Sequence, residues 1–108
     1  MKIAVTYENG QVFQHFGHTE QFKVYNVENG AVTASAVEPT NGSGHGALAG
    51  FLKGLGVDTL ICGGIGGGAI AALGEAGITL YGGGAGDADA AGGALLAGNL
   101  GRNVEPTC

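Results

Sequence analysis

With 108 residues, the chain has the size of one domain able to bury a core of its own. Four Lys and Arg stand against nine Asp and Glu, a formal charge of −5, which excludes the basic face that a nucleic-acid partner requires. Two cysteines, Cys62 and Cys108, exclude a disulfide framework, and no apolar run nears the roughly 18 residues of a membrane span, so a reduced, cytoplasmic protein is expected.

The first apolar run, Met1 to Val5, is also too short for a secretory signal. Ile3, Val5 and Tyr7 alternate with Ala4 and Thr6, which predicts a first strand ending at Asn9-Gly10. Gln21 to Val27 and Ala31 to Val37 read as the second and third strands. Glu28-Asn29-Gly30 between them signals a hairpin, because Asn-Gly tolerates positive φ at both central turn positions.

The period then changes. Leu48, Phe51, Leu52 and Leu55 fall at i, i+3, i+4 and i+7, an amphipathic helix closed by Gly56. Val57 to Cys62 reads as a buried parallel strand, Gly67 to Ala76 as a helix stopped by Gly77, and Ile78 to Tyr81 as another buried strand. Asp87 is the expected N-cap of a last helix running to Ala97. The order β-β-β-α-β-α-β-α predicts a single α/β domain over residues 1–108, a mixed five-stranded sheet with flanking helices and right-handed crossovers.

Glycine supplies 24 residues. Gly50, Gly54, Gly74, Gly92, Gly93 and Gly98 fall within the predicted helices, where each costs about 1 kcal/mol relative to alanine. Close helix–sheet packing is the expected reason. The alternative is a loose free protein that a ligand tightens.

Three strand-to-helix connections are glycine-rich: Asn41 to Gly46, Gly63 to Gly68, and Gly82 to Gly86. Helix starts with bare backbone N–H groups attract anions, and missing Cβ atoms let a ligand approach the main chain. Turn chemistry alone explains one such loop; three converging loops point to an anion-binding concavity. Gly64 to Ala69 contains a G-x-G-x-x-A string, but no acidic residue ends the next strand, so nucleotide binding is not indicated.

His15, His18, His45, Cys62 and Cys108 are the metal-capable side chains, and none shows C-x-x-C or H-x-x-x-H spacing. A lone loop histidine is ordinarily a surface residue; three of them, all in loops, raise the ligand reading. Cys62 reads as a small core hydrophobe or as a thiolate turned into the concavity. Terminal Cys108 is a ligand or nothing. Ser35 and Ser43 lack a nucleophile context, and Asp87 and Asp89 read as first-turn capping and dipole residues.

Val12-Phe13-Gln14-His15-Phe16-Gly17-His18, then Gly44-His45-Gly46, then Leu60-Ile61-Cys62-Gly63-Gly64-Ile65-Gly66 together resemble one family. It is the dinitrogenase iron–molybdenum cofactor biosynthesis family of NifX, NafY and NifB C-terminal-like domains, which includes the orange protein with its molybdenum–copper–sulfide cluster. The resemblance runs from Met1 to about Leu100 and implies a ribonuclease-H-like fold that holds an anionic metal–sulfur cluster non-covalently. It implies His15 as the cluster contact. His18 stands where the family often has arginine; many relatives carry a Cys/His-rich tail, and with the sequence ending at Cys108 no tail function is expected.

The expected cofactor-binding residues are His15, His45, Gly64, Gly66 and Gly67, and the expected metal-ligating ones His15, His18, His45 and Cys62. The cargo expected is a molybdenum/iron–sulfur or molybdenum–copper–sulfide cluster, or none in the isolated protein, with cluster donor and acceptor proteins as partners. Nucleases share the fold class but need several strand-end carboxylates to hold two magnesium ions, where this chain offers Thr6, Tyr7 and Cys62. A non-enzymatic cluster carrier is therefore expected; the alternative is a binding or regulatory module for another small anion.

Overall fold

Asn29 and Gly30 take φ of 54° and 77°, and Asn9 and Gly10 take 50° and 84°, so each Asn-Gly pair supplies the two left-handed residues of a tight turn. The computed structural model describes residues 1–40, 45–82 and 85–98. Its strands are β1 (Lys2–Glu8), β2 (Gln11–Val12), β3 (Gln21–Glu28), β4 (Ala31–Pro39), β5 (Thr59–Ile61) and β6 (Thr79–Tyr81). The helices are α1 (His45–Gly54), α2 (Gly67–Glu75) and α3 (Ala88–Leu96), and Phe16–His18 forms a 3-10 turn.

The sheet order is β4-β3-β1-β5-β6, with β2 paired to β1. β3 runs antiparallel to β1 and to β4, whereas β5 and β6 run parallel to β1. The mixed sheet is as expected. β2 is a sixth strand, two residues long, too short for an alternating pattern to announce it. The buried strands at Val57–Cys62 and Ile78–Tyr81 are present, with ladders trimmed to Thr59–Ile61 and Thr79–Tyr81.

Alternation along the strands divides the core in two. Ala4, Phe22, Val24, Leu60, Cys62 and Leu80 face α1 and α2, packing on Leu48, Leu52 and Leu73. Ile3, Val5, Tyr25, Val27 and Ile61 face α3, packing on Ala88 and Ala91.

The helical glycines do not serve close packing. A Cβ at Gly50, Gly54, Gly74 or Gly93 would meet nothing within 4 Å, and at Gly92 it would touch the Tyr25 ring at 4.0 Å, an ordinary contact. Those first four positions face outward. Gly98 is different: its φ of 76° ends α3 in the left-handed region.

Candidate functional site

Because β1, β4, β5 and β6 share one direction, their C-terminal ends lie along one edge of the sheet, and all three helices start there. This is the edge at which open α/β sheets bind ligands. The glycine loops after β5 and β6 therefore open on the same edge as the start of α1 at His45. Loop 41–44, the His45 side chain, Gly46, Gly83, Gly84 and Cys108 lie outside the described residues.

The segment from Phe13 to His18 returns to this edge because its backbone is stitched to β1 and to the loop that follows β5. The Phe13 N–H donates to the Thr6 carbonyl at 2.9 Å, and the Thr6 hydroxyl donates to the Phe13 carbonyl at 2.8 Å. The Gly63 and Gly64 N–H groups donate to the Phe13 and Gln14 carbonyls at 3.3 and 2.6 Å, and the Phe16 N–H donates to the Gly64 carbonyl at 2.9 Å. His15 thereby pairs with Gly64 in a parallel bridge. Glycine is required at 63, since a Cβ would sit 2.6 Å from the Gln14 Cα.

Phe16 anchors the segment. Its ring is 1% exposed and lies 6.1 Å from that of Phe22, which stacks on Phe51. His15 and His18 on either side are exposed, with ring centroids 6.4 Å apart. They serve different surroundings. His15 adjoins Gly64, whereas His18 lines a pocket of about 140 Å³ with Tyr7, Glu8, Phe13, Glu20 and Gln21. The two carboxylates make that pocket a poor seat for an anion.

The helix starts also differ. Asp87 caps α3, its side chain accepting from the Ala90 N–H at 2.9 Å, so the acidic cap occupies this terminus. Asp89 accepts from Lys23 Nζ at 2.7 Å and from the Tyr25 hydroxyl at 2.6 Å. The Lys23 ammonium, then the Tyr25 hydroxyl, hold the Asp89 carboxyl below the usual carboxylate range. Hydrogen bonding to Asp89 raises Lys23, while burial and then Asp89 push the Tyr25 phenol up. α2, in contrast, starts at Gly66 with no side-chain cap, and a Cβ on Gly68 would meet nothing within 4 Å.

Among the expected site residues, the structure brings together His15, Gly64, Gly66 and Gly67, with His18 one turn away. Cys62, the residue that follows β5 at this edge, is fully buried and packs in the core beneath α1 and α2. Among the described residues no group of three or more His, Cys, Asp or Glu side chains converges to hold a metal ion. The described cations also stand apart, for Lys2 begins β1 and Lys53 ends α1 at the far edge, and Lys23 is committed to Asp89.

The family model described as dinitrogenase iron–molybdenum cofactor matches residues 1–98. The chain belongs to that family. The dinitrogenase iron–molybdenum cofactor fold recurs in the apo form of the orange protein from Desulfovibrio gigas, at 26% identity and TM-score 0.86, covering 99% of this chain and 96% of that one. A candidate NifB protein from Thermotoga is similar at 25% identity and TM-score 0.75, covering 99% and 97%. A candidate dinitrogenase from Methanocaldococcus jannaschii, at 19% identity and TM-score 0.80 over 98% and 97%, shares the fold. No curated protein matches the chain. No helix among the described residues is long and apolar enough to cross a membrane.

Proposed function

We propose that the protein is a non-enzymatic carrier for an anionic metal–sulfur cluster, taken up as cargo at the edge formed by His15, Gly64 and the start of α2. One observation carries this reading: the parallel bridge that fixes exposed His15 beside Gly64, next to a helix start with no side-chain cap. Backbone N–H groups and the helix dipole supply local attraction against an overall charge of −5, and an imidazole adds a ligand nitrogen. His15 is the principal side-chain contact. We assign Gly66 and Gly67 as main-chain donors and keep His18 and His45 as further candidate ligands, with buried Cys62 behind the loop. A cluster of the molybdenum/iron–sulfur or molybdenum–copper–sulfide class fits family membership, with donor and acceptor proteins exchanging it in a reduced cytoplasm.

A second reading is a module for another small anion, which the burial of Cys62 favours, since the described part of this edge then offers no thiolate to a metal. Anaerobic titration with tetrathiomolybdate, with and without copper, separates the two by visible absorbance. Wild type should bind, and His15→Ala should weaken uptake about tenfold or more. Uptake by His15→Ala equal to wild type would contradict the assigned site; metal-dependent RNA or DNA cleavage would contradict the carrier reading.

A further inference from the structure

β4 is built unlike the other strands. It ends the sheet, paired among the described residues to β3 alone, and every one of its residues except Glu38 is exposed, so neither helical layer covers it. The Thr40 N–H donates to the Glu20 carbonyl at 2.9 Å, which turns the main chain of the even-numbered positions 34–38 toward β3. By alternation, the N–H and C=O groups of Ser35 and Val37 point away from the sheet. No lysine, arginine or aspartate guards this stretch, the usual protection of a bare strand. Its limits are Pro39, which has no N–H, and Thr33, where the register against β3 slips by one residue.

The slip also gathers apolar surface. Val32 and Val37, five residues apart, would face opposite sides of an unbroken strand. Here Val32 pairs with Val27 and Val37 with Lys23, both on the α3 side of the sheet, and the two valines are 47% and 40% exposed.

We propose that the outer side of β4 binds a second copy of this chain, antiparallel about a two-fold axis at Ala36, joining two sheets into one. In that register the segment is complementary to itself. Ser35 of one copy faces Val37 of the other and exchanges both N–H···O=C bonds with it, while Ala36 meets its own equivalent, methyl to methyl. Val32 and Val37 of the two copies fall on diagonals of one face and form a continuous apolar band. Glu38, the one charge of β4, falls opposite Ala34 of the other copy, in the row that runs through Asn26 to Lys2, so no like charges meet. Such a pairing uses up the strand it pairs and stops at the dimer. The two edges that carry His15 then point to opposite ends of the joined sheet. One strand pair buries less than the roughly 1,200 Å² of a stable interface, so the dimer is weak, with a Kd of about 10–300 µM. None of this rests on the cargo reading.

Sedimentation velocity and amide hydrogen exchange on the full chain, from about 10 µM to about 1 mM, test it. Wild type should pass from monomer to dimer and no further, and the Ser35 and Val37 amides should slow about threefold or more with it. Ala36→Lys sets like charges face to face at an exposed position; it should weaken dimerisation about tenfold or more and leave the monomer folded. In a Cys108→Ser chain, Ala36→Cys should form a disulfide dimer under mild oxidation faster than Val32→Cys, because the axis brings the two Cβ atoms together. A wild type that stays monomeric to about 1 mM overturns the second copy as occupant and hands β4 to another strand. A dimer that Ala36→Lys leaves intact, or in which the Ser35 and Val37 amides exchange as fast as in the monomer, overturns β4 as its site. Cross-linking no faster through Ala36→Cys than through Val32→Cys overturns the register.

Discussion

The sheet and the helices of this protein are built to different standards. β1 and β3 place Ile3, Val5, Phe22 and Tyr25 at 4% exposure or less, and their registers are closed at the turns by residues that tolerate positive φ. The helices bury leucines and alanines, and carry outward-facing glycines at 50, 54, 74 and 93 where a methyl would fit. Stability is thus concentrated in the sheet, and the edge at which the helices begin is left adaptable.

The largest test of that contrast is in the sheet. Phe22→Ala should cost about 3–5 kcal/mol in denaturant unfolding, and it should loosen the exposed His15 segment through Phe16. Next is the one glycine whose replacement meets backbone. Gly63→Ala forces a methyl against Gln14 and should cost about 1–3 kcal/mol, with weaker tetrathiomolybdate uptake because His15 shifts with Gln14. A pair of helix-end variants sharpens the comparison: Gly74→Ala should stabilise by about 0.5–1 kcal/mol, whereas Gly77→Ala, at φ 75°, should destabilise by about 1 kcal/mol. Thermal midpoints moving in opposite directions would bear this out.

The smallest effect is electrostatic. The Asp89 carboxyl is held below 3.8 when folded, so its contribution is present above that value and is lost as pH falls through the lowered one. Asp89 is 64% exposed, so that contribution stays under about 1 kcal/mol. Asp89→Asn should therefore flatten the acid limb of the stability curve and leave neutral pH nearly unchanged; an identical acid limb would exclude the tie.

Much of this was legible in the sequence. Hydrophobic period and Asn-Gly or Gly punctuation located the main strands, the helices and the Asp87 cap, because each depends on near neighbours. The common edge followed from strand direction. What stayed hidden depends on distant partners. Nothing local shows that Lys23 and Tyr25 meet Asp89, that Gln14 lies against Gly63, or that Gly50 and Gly74 face outward rather than the sheet. Cys62 ends a short apolar run, where one step of the alternation decides only which of the two buried faces it joins, and composition cannot choose.

The account stands or falls on where the cargo sits. Amide chemical shifts of the isotope-labelled chain, followed through an anaerobic tetrathiomolybdate titration, locate it directly. The prediction is saturable movement of residues 14–18 and 63–69, with the turn at Asn29-Gly30 on the opposite edge unmoved. Movement centred on that turn, or none at residues 14–18 and 63–69 while the absorbance reports binding, would contradict it.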